Sequence, residues 1–478
     1  MLRTVIVILS FGCTLFTSAQ KVVWAQKNNL DRKTDFSKVI GQNESGVYIL
    51  KHKNSTFRKY FILEHFDKRM NLLNSKTIKI PNAELQKIVV KPKGIVFFVK
   101  KFNNDYTSSL LMYHLDSNFI SDAPKVIFSA KNLINSTADF IIEYDNFKQN
   151  FTALYYSEDE KKTKLNYVYY ENERLVKSYI YEIVQPFINL SFYKSTLTAN
   201  GSLSTLYVSK KNSKNIKDEY RIMSINFISS VNSNYLINNE QNYISDFDLS
   251  YNEMDNIFNI IGFYGIKDEE ENKGYFDIKM NAETFSIYHA IFKDIERKII
   301  ASIIGLKYEQ KGENLNKFSI RKVIPRIDGG MLIIAERIYI TTQSDVFYIN
   351  GMPQTSYAKI FNNDEVLLIN LDSSGNMVWH DVVVKNQSSI NDGGYFNSII
   401  VMVNDDNVNI IYNDRLSSNA DIMQVTYTVN GEHIKKILFN SDQYYALVIP
   451  SEYNQVSANS IVIPINQNKD HTYIKLLY

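Results

Sequence analysis

DGGMLIIAERIYI, residues Asp328 to Ile340, and EVLLINLDSSGNMVWHDVVVK, residues Glu365 to Lys385, are the stretches that decide the fold. The first begins with the turn signal Asp328-Gly329-Gly330. The apolar, β-branched run from Met331 to Ile340 then predicts a strand that leaves a tight turn. Phe318 to Ile324, just ahead of the turn, is the expected partner strand.

The second stretch predicts a hairpin. Val366 to Leu371 and Met377 to Val384 are its strands, and Asp372-Ser373-Ser374-Gly375 is its turn, because Asp and Ser bond to their own backbone and Gly accepts positive φ. Four strands joined by local connections form an antiparallel meander, which is the blade of a β-propeller when it repeats around an axis. The intervening segment, Gln343 to Tyr357, is expected to be an irregular excursion.

The same hairpin pattern recurs along the chain. Turn centres lie roughly 50–57 residues apart, near the length of a four-stranded blade, except at one longer gap. The predicted hairpins are Tyr60 to Ile80, Ser109 to Ser129, Lys164 to Ile183, Glu219 to Ile237, Gly274 to Phe292, Val366 to Val384 and Asp421 to Phe439.

Both ends of the chain supply a further unit. Tyr445 to Pro450, Ser460 to Ile465 and Thr472 to Leu477 predict three strands, and Lys21 to Ala25 offers the fourth. Pairing the termini would remove a free sheet edge. The sequence therefore predicts an all-β protein, a single propeller of eight blades with the last shared between the termini. Seven blades with a terminal appendage is the alternative.

The long gap between the fifth and sixth hairpins predicts the one inserted helix. Lys293 to Gly305 places Ile295, Ile299 and Ile303 on one face, which is typical of an amphipathic helix of about three turns. The helical and loop insertion is expected at about residues 293–316. Its apolar stripe is expected to pack on a blade edge, and a lid is the alternative. Together with the Gln343 to Tyr357 excursion, it marks the neighbourhood where a functional site is expected.

The N-terminus predicts a signal peptide over residues 1–19, with one basic residue, a short apolar core from Thr4 to Phe16, and cleavage before Gln20. The remaining residues, 20–478, are predicted to form the single propeller domain. No later stretch is apolar and long enough to span a membrane. Cys13, the only cysteine, lies in the signal peptide. A lipid anchor at Cys13 is the alternative to simple export.

The sequence indicates no catalytic, cofactor-binding or metal-binding residue. Charge is balanced, with 53 basic and 51 acidic residues, so a nucleic-acid partner is not expected. Nucleophile, phosphate-loop and dinucleotide motifs are missing, and the seven His residues are dispersed. Glu64, Glu336 and Asp414 lie in or beside apolar strands, where ion pairs with neighbours such as Arg337 or Arg415 are expected.

The segments DGGMLIIAE and LLINLDSSGNMVWHDVV resemble repeat-built β-propeller proteins that are exported by Bacteroidetes. In that group, a D-G-G turn enters a strand and an L-D-x-x-G-x-x-x-W hairpin closes the blade. The resemblance is good over Ile327 to Lys385, fair over Asn391 to Asn440, and only architectural elsewhere. It implies export and blade geometry, and it implies no catalytic residue.

Two functional hypotheses follow. The first is an exported, non-catalytic propeller that serves as a binding scaffold for a protein or glycan at the cell envelope, since Tyr side chains provide contact area at low entropic cost. The second is a polysaccharide-active hydrolase or lyase that uses carboxylates facing the propeller channel.

Overall fold

A computed structural model gives the conformation of most of the chain. It describes residues 20–25, 36–52, 60–103, 107–131, 140–159, 162–183, 189–210, 218–238, 241–266, 268, 270–349, 352–405, 407–416, 420–440, 445–467 and 470–478. The predicted signal peptide over residues 1–19 and the lipid-anchor alternative at Cys13 lie outside these residues.

The described chain is almost entirely β-structure, with two short α-helices and one 3-10 turn. The helices are α1 (Arg297–Ile304) and α2 (Leu306–Glu309), and the 3-10 turn is Pro450–Glu452. The strands are β1 (Lys21–Trp24), β2 (Phe36–Asn43), β3 (Gly46–His52), β4 (Tyr60–Phe66), β5 (Leu72–Lys79), β6 (Ala83–Lys91), β7 (Gly94–Phe102), β8 (Thr107–Leu115), β9 (Lys125–Lys131), β10 (Ile141–Tyr144), β11 (Phe151–Asp159), β12 (Lys162–Glu171), β13 (Arg174–Ile183), β14 (Asn189–Leu197), β15 (Ser202–Lys210), β16 (Glu219–Asn226), β17 (Asn232–Leu236), β18 (Tyr243–Asn252), β19 (Ile257–Gly265), β20 (Glu271–Asn272), β21 (Gly274–Asn281), β22 (Ile287–Asp294), β23 (Leu315–Asn316), β24 (Phe318–Pro325), β25 (Met331–Ile349), β26 (Met352–Leu371), β27 (Met377–Val383), β28 (Gln387–Ile390), β29 (Ile400–Val403), β30 (Asn407–Asn413), β31 (Ile422–Thr428), β32 (His433–Phe439), β33 (Ala446–Val448), β34 (Asn454–Ser457), β35 (Ser460–Gln467) and β36 (Asp470–Leu477).

The strands form consecutive antiparallel meanders. In chain order these are the first sheet (β2 to β5), the second (β6 to β9), the third (β10 to β13), the fourth (β14 to β17), the fifth (β18, β19, β21, β22), the sixth (β24 to β27, with β28 beside β26) and the seventh (β29 to β32). The terminal sheet has the order β1-β36-β35-β33, with β34 also beside β35. All seven predicted hairpins are present, and β1 pairs with β36 through Lys21↔Leu477 to Trp24↔Ile474.

The apolar core is divided into clusters that lie between neighbouring sheets. One cluster, for example, joins Val89 and Phe98 of the second sheet to Phe140 and Phe151 of the third. Corresponding clusters fill every junction from the first sheet to the terminal sheet, and a further cluster joins the terminal sheet to the first. Each meander is thus buried on both faces by its neighbours in the sequence, as the blades of a propeller are.

Aspartate-led turns close several of the hairpins. Asp372 Oδ1 accepts hydrogen bonds from the backbone N–H groups of Ser374 (2.9 Å) and Asn376 (2.8 Å). Asp67 and Asp116 bind the backbone of their own turns in the same way. The predicted turn chemistry is therefore confirmed at these positions.

The inserted helix is present but shorter than predicted. β22 continues to Asp294, so α1 begins only at Arg297, and Gly305, with φ +90°, ends it. Ile299 and Ile300 are buried in the cluster between the fifth and sixth sheets. The expectation that the apolar stripe packs against a blade is confirmed.

The segment Gln343 to Tyr357 was expected to be irregular, and this expectation is wrong. β25 and β26 continue through it as a two-stranded ribbon, paired from Ile338↔Asn363 to Ile349↔Met352. Thr, Val and Tyr are frequent in these strands, and such residues favour extended backbone even without burial.

Candidate binding site

The ribbon and the helical insertion lie at the same end of the sheets. In an antiparallel meander, the first strand begins at the end where the second and third strands connect. α1 and α2 precede β24, the first strand of the sixth sheet, and the ribbon connects its second and third strands. We call this end the ribbon end, and the opposite one, which carries the other turns, the hairpin end. The prediction that both excursions share one neighbourhood is confirmed.

The ribbon extends beyond the sheet that carries it. β25 pairs with β24 only as far as Arg337, and β26 pairs with β28 only from Ile360 to Asn363. Asn391 N also donates to Lys359 O (2.9 Å), so among the described residues the ribbon pairs only with itself from Gln343↔Ala358 to Ile349↔Met352. Its two long edges leave backbone N–H and C=O groups free for another strand.

Large apolar side chains of the ribbon are exposed. Side chains alternate along a strand, so the register places Ile340, Val346 and Tyr348 on the same face as Tyr357. These four side chains, which define the apolar face, are between 58% and 71% exposed. The opposite face carries the polar residues Thr341, Gln343, Asp345, Gln354 and Ser356, and it also carries the exposed apolar residue Met352. Exposed apolar side chains of this size are typical of an interaction site.

A buried ionic network fixes the base of the ribbon. Glu336 of β25 is fully buried, and its Oε1 lies 2.7 Å from Lys385 Nζ. Its Oε2 accepts hydrogen bonds from Arg321 Nε (2.7 Å), Ser398 Oγ (2.6 Å) and Asn363 Nδ2 (3.1 Å). One carboxylate thus holds together side chains of β24, β26, the chain that follows β27 and the chain that precedes β29.

The network keeps Glu336 ionised. Burial by itself would raise the pKa of Glu336, but the Lys385 ammonium and the Arg321 guanidinium outweigh burial and hold the pKa below its usual value. Two cations flank this carboxylate, and two further carboxylates lie close enough to act on them, Asp364 on Lys385 and Asp246 on Arg321. The Arg321 side chain is about one-third exposed, so its guanidinium is the part of the network that reaches the surface.

A cavity of about 480 Å³ opens beside this network. It lies between the ribbon base, the seventh sheet and the terminal sheet, and its walls include Arg321, Tyr339, Asn362, Asn397 and Tyr453. Asn397 is almost fully buried, and its Oδ1 has no hydrogen-bond partner. A cation, amides and aromatic rings together suit an oxygen-rich ligand.

The three carboxylates singled out in the sequence are all in ion pairs, with partners that were only partly foreseen. Asp414 lies 3.5 Å from Arg415, as expected. Glu64 pairs with Lys51 at 2.6 Å. The expected pairing of Glu336 with Arg337 is wrong.

Arg337 lies at a β-bulge between β25 and β26, and its Nη1 lies 3.7 Å from Glu365 instead. Consecutive side chains of a strand point to opposite sides, so Arg337 points away from the side on which Glu336 lies, and Glu336 takes its cations from β24 and from the chain beyond β27.

The first strands also carry carboxylates, which bear on the second functional hypothesis. Glu143 of β10 pairs with Lys87 of β6 at 3.0 Å, and Asp248 of β18 pairs with Lys194 of β14 at 2.5 Å. Both of these carboxylates are thus held by lysines of the preceding sheet. Asp246, two residues before Asp248, accepts backbone hydrogen bonds from Ile320 (2.6 Å) and Phe247 (2.8 Å).

Burial raises the pKa of two of these carboxyls. Burial, together with the charge of Asp248, raises the pKa of Asp246 to about 6, against the opposing effect of its backbone hydrogen bonds. Burial also raises the pKa of Glu143, although Lys87 and Lys194 oppose it. A pKa of about 6 suits Asp246 for proton transfer near neutral pH.

Within the ranges given above, no three His, Cys, Asp or Glu side chains converge in a geometry that could hold a metal ion. No helix found there has the length and apolar character needed to cross a membrane.

Sequence patterns missed the ribbon and the cations at its base. The dipeptide Asn350-Gly351, which is typical of two-residue hairpin turns, was the available signal for the ribbon. Arg321 and Lys385 carried no local signal, because their partner Glu336 lies on another strand.

Similarity to known proteins is found among solved structures. No family model and no curated protein matches the sequence. Among solved structures, the chain is similar to the WD40 domain of SCAP from fission yeast, with 12% identity and a TM-score of 0.41 over 96% of this chain and 98% of that one. The β-propeller domain of the Trilobed protease from Pyrococcus furiosus has 11% identity and a TM-score of 0.38, over 85% and 99%. Prolyl oligopeptidase B from Galerina marginata has 10% identity and a TM-score of 0.42, with 91% of this chain covering 56% of that chain.

Proposed function

We propose that this protein is an exported, non-catalytic propeller of eight blades that binds a protein partner at the cell envelope through its ribbon. The apolar face of the ribbon is the observation that carries the proposal. Ile340, Val346, Tyr348 and Tyr357 leave large apolar areas in water, and a partner would stabilise them by burial.

The arrangement of the core supports a ring of eight blades. Each sheet shares an apolar cluster with its neighbours, and the cluster of Val39, Val47, Val462 and Tyr473 joins the terminal sheet to the first. Ser37 N also donates a 3.0 Å hydrogen bond to Glu452 across this junction. A ring closed by both termini leaves no sheet face uncovered.

Export is part of the proposal and rests on the N-terminal sequence. Removal of residues 1–19 before Gln20 would leave β1, which begins at Lys21, complete for pairing with β36. The mature chain would then occupy the envelope or the cell exterior, where the ribbon could meet a partner.

The test is recovery of the partner with and without the ribbon's aromatic anchors. Tagged protein is purified from its native cells after mild crosslinking, and co-purified proteins are quantified by mass spectrometry. The double variant Tyr348→Ser/Tyr357→Ser should weaken binding of a stoichiometric partner at least about thirtyfold, because the loss of even one buried aromatic hot spot costs about 2 kcal/mol.

The matched control is Gln343→Ser/Gln354→Ser, which changes the opposite face of the same ribbon. It should retain the partner. Equal recovery with both double variants would refute the role of the apolar face. If no protein partner is recovered from native cells, protein binding is refuted and glycan binding becomes the hypothesis to test.

A second candidate function has one observation in its favour. Asp246 and Asp248 lie two residues apart on β18, the pKa of Asp246 is raised, and Asp248 is held by Lys194. A carboxyl with a raised pKa is typical of the general acid in polysaccharide cleavage. Loss of polysaccharide cleavage in Asp246→Asn, with folding intact, would support this alternative.

A further inference from the structure

A second cavity, at the hairpin end between the sixth and seventh sheets, has the properties of a ligand site. Its volume is about 450 Å³, within the range of small-molecule pockets. Its walls bring together the Asp328-Gly329-Gly330 turn, Trp379 and the Asn404-Asp405 turn, which are distant in the sequence. It lies at the opposite end of the sheets from the ribbon, so it is independent of the proposed function.

The walls of this cavity are mainly apolar. Ile324 and Leu332 contribute one side, Val403 and Val408 another, and Trp379 closes it. The Trp379 ring is held in place, because its Nε1 donates to Val429 O (3.0 Å) and it stacks on Tyr427 with 6.1 Å between ring centroids. A rigid apolar wall favours a ligand with an apolar body.

The charge of Arg326, the cationic side chain of the cavity wall, is already compensated. Arg326 forms an ion pair with Asp328, and its Nη1 donates to Asn370 Oδ1 at 2.8 Å. An anionic ligand would find no uncommitted cation here and would meet the carboxylate of Asp405, which also lines the cavity. The cavity therefore disfavours anions.

Two polar groups at the cavity lack hydrogen-bond partners. Asn370 is almost fully buried, and because Arg326 donates to its Oδ1, the Nδ2 is the group that remains unpaired. Thr428 Oγ1 is likewise buried and unpaired. A buried donor without an acceptor destabilises the fold, and a ligand acceptor placed there would recover much of this cost.

We propose that this cavity binds a small, neutral, largely apolar molecule that carries a carbonyl-type acceptor. The apolar body would contact Trp379, Leu332 and Val408, and the carbonyl oxygen would accept a hydrogen bond from Asn370 Nδ2. The proposal follows from the apolar walls, the compensated charge and the orphaned amide donor.

The test uses a fluorescent probe of that chemistry, 6-propionyl-2-dimethylaminonaphthalene, which is neutral and aromatic and has one ketone. Titrated into the purified protein, it should show saturable, blue-shifted emission. Asn370→Asp keeps the acceptor for Arg326 and removes the donor, so it should weaken binding about tenfold. Val408→Trp, which fills the cavity, should abolish binding.

The control is Ile228→Ser, which removes an exposed apolar side chain from a different turn at the hairpin end and should leave binding unchanged. Folding of each variant is checked by thermal unfolding. If Val408→Trp does not fold, Val408→Phe takes its place. No saturable binding to the wild-type protein, or equal affinity in Asn370→Asp, would overturn the proposal.

Discussion

Replacing Lys385 by Met tests whether the buried ionic network holds the ribbon to the sixth sheet. The Lys385 side chain is 1% exposed, and its ammonium lies 2.7 Å from the fully buried carboxylate of Glu336. It also donates to Asn363 O (2.8 Å) and Gln387 Oε1 (2.9 Å). Met preserves most of the length and apolar volume of the side chain, so the change removes mainly charge and hydrogen bonds.

The expected loss follows from the burial of the charge left behind. Breaking a buried ion pair by removal of one partner costs about 3–5 kcal/mol, because the remaining charge stays desolvated. Glu336 would keep Arg321, Ser398 and Asn363, so we expect the lower end, about 3 kcal/mol of unfolding free energy at pH 7. The assay is urea unfolding followed by tryptophan fluorescence, since Trp379 belongs to the sixth sheet.

Two further measurements isolate the charge. Adding Glu336→Gln to Lys385→Met removes the carboxylate that has lost its lysine partner. The double variant should recover a large part of the unfolding free energy that Lys385→Met loses. In the wild type, the pKa of Glu336 is lower in the folded protein than in the unfolded chain. The ionised carboxylate therefore stabilises the fold above its unfolded-chain pKa, and this stabilisation is lost as the pH falls through its folded-state pKa. Without Lys385 this stabilisation is smaller, so the difference in unfolding free energy between the wild type and Lys385→Met should decrease towards acidic pH. A loss below about 1 kcal/mol, or one unchanged by Glu336→Gln, would refute the reasoning.

Three other outcomes are expected. Burial raises the pKa of Glu452 to about 8, so wild-type stability should fall as pH rises from the unfolded value of about 4.5 to about 8, and Glu452→Gln should flatten this dependence in urea unfolding. Gly431→Ala should cost roughly 2–3 kcal/mol, because its Cβ would lie 2.7 Å from the Trp379 ring, whereas Gly393→Ala, also at positive φ but with no atom within 4 Å, should cost only about 1. Intact mass of the exported protein should show an N-terminus at Gln20, and a full-length mass would contradict the predicted cleavage.

The hairpins could be predicted because their determinants are local. An Asp or Gly at a fixed place in a turn and two apolar runs on either side lie within about 20 residues, which a single sequence displays. The pairing of both termini was also predictable, since the tail offered three strands and the segment from Lys21 to Ala25 a fourth. Trp24 and Trp379 do lie on the outermost strands of their sheets.

Bulges interrupt the alternation of several first strands. β2, β14 and β24 each shift register at one position, near Ile40, Tyr193 and Arg321. A bulge places two residues against one on the neighbouring strand, so the period of two that marks a strand in sequence is lost at that point. No strand was predicted at β2 or β14, whereas Phe318 to Ile324 was predicted at β24, so a bulge by itself does not hide a strand.

The site residues were the least predictable, because the sheets meet through side chains that belong to different repeats. Lys279 of the fifth sheet shows this most clearly. Its Nζ donates to Gly329 O (3.0 Å) in one turn and to Ser373 O (2.5 Å) in the other, and these are the two turns from which the fold was inferred. The buried carboxylate of Asp277 lies beside the same ammonium group. No local pattern marks Lys279, since its role depends on which turn the next sheet brings against it. Chemistry in a protein built this way arises at the junctions between sheets, so the ribbon base and the two cavities, all at junctions of the sixth sheet, are the places where function should be tested first.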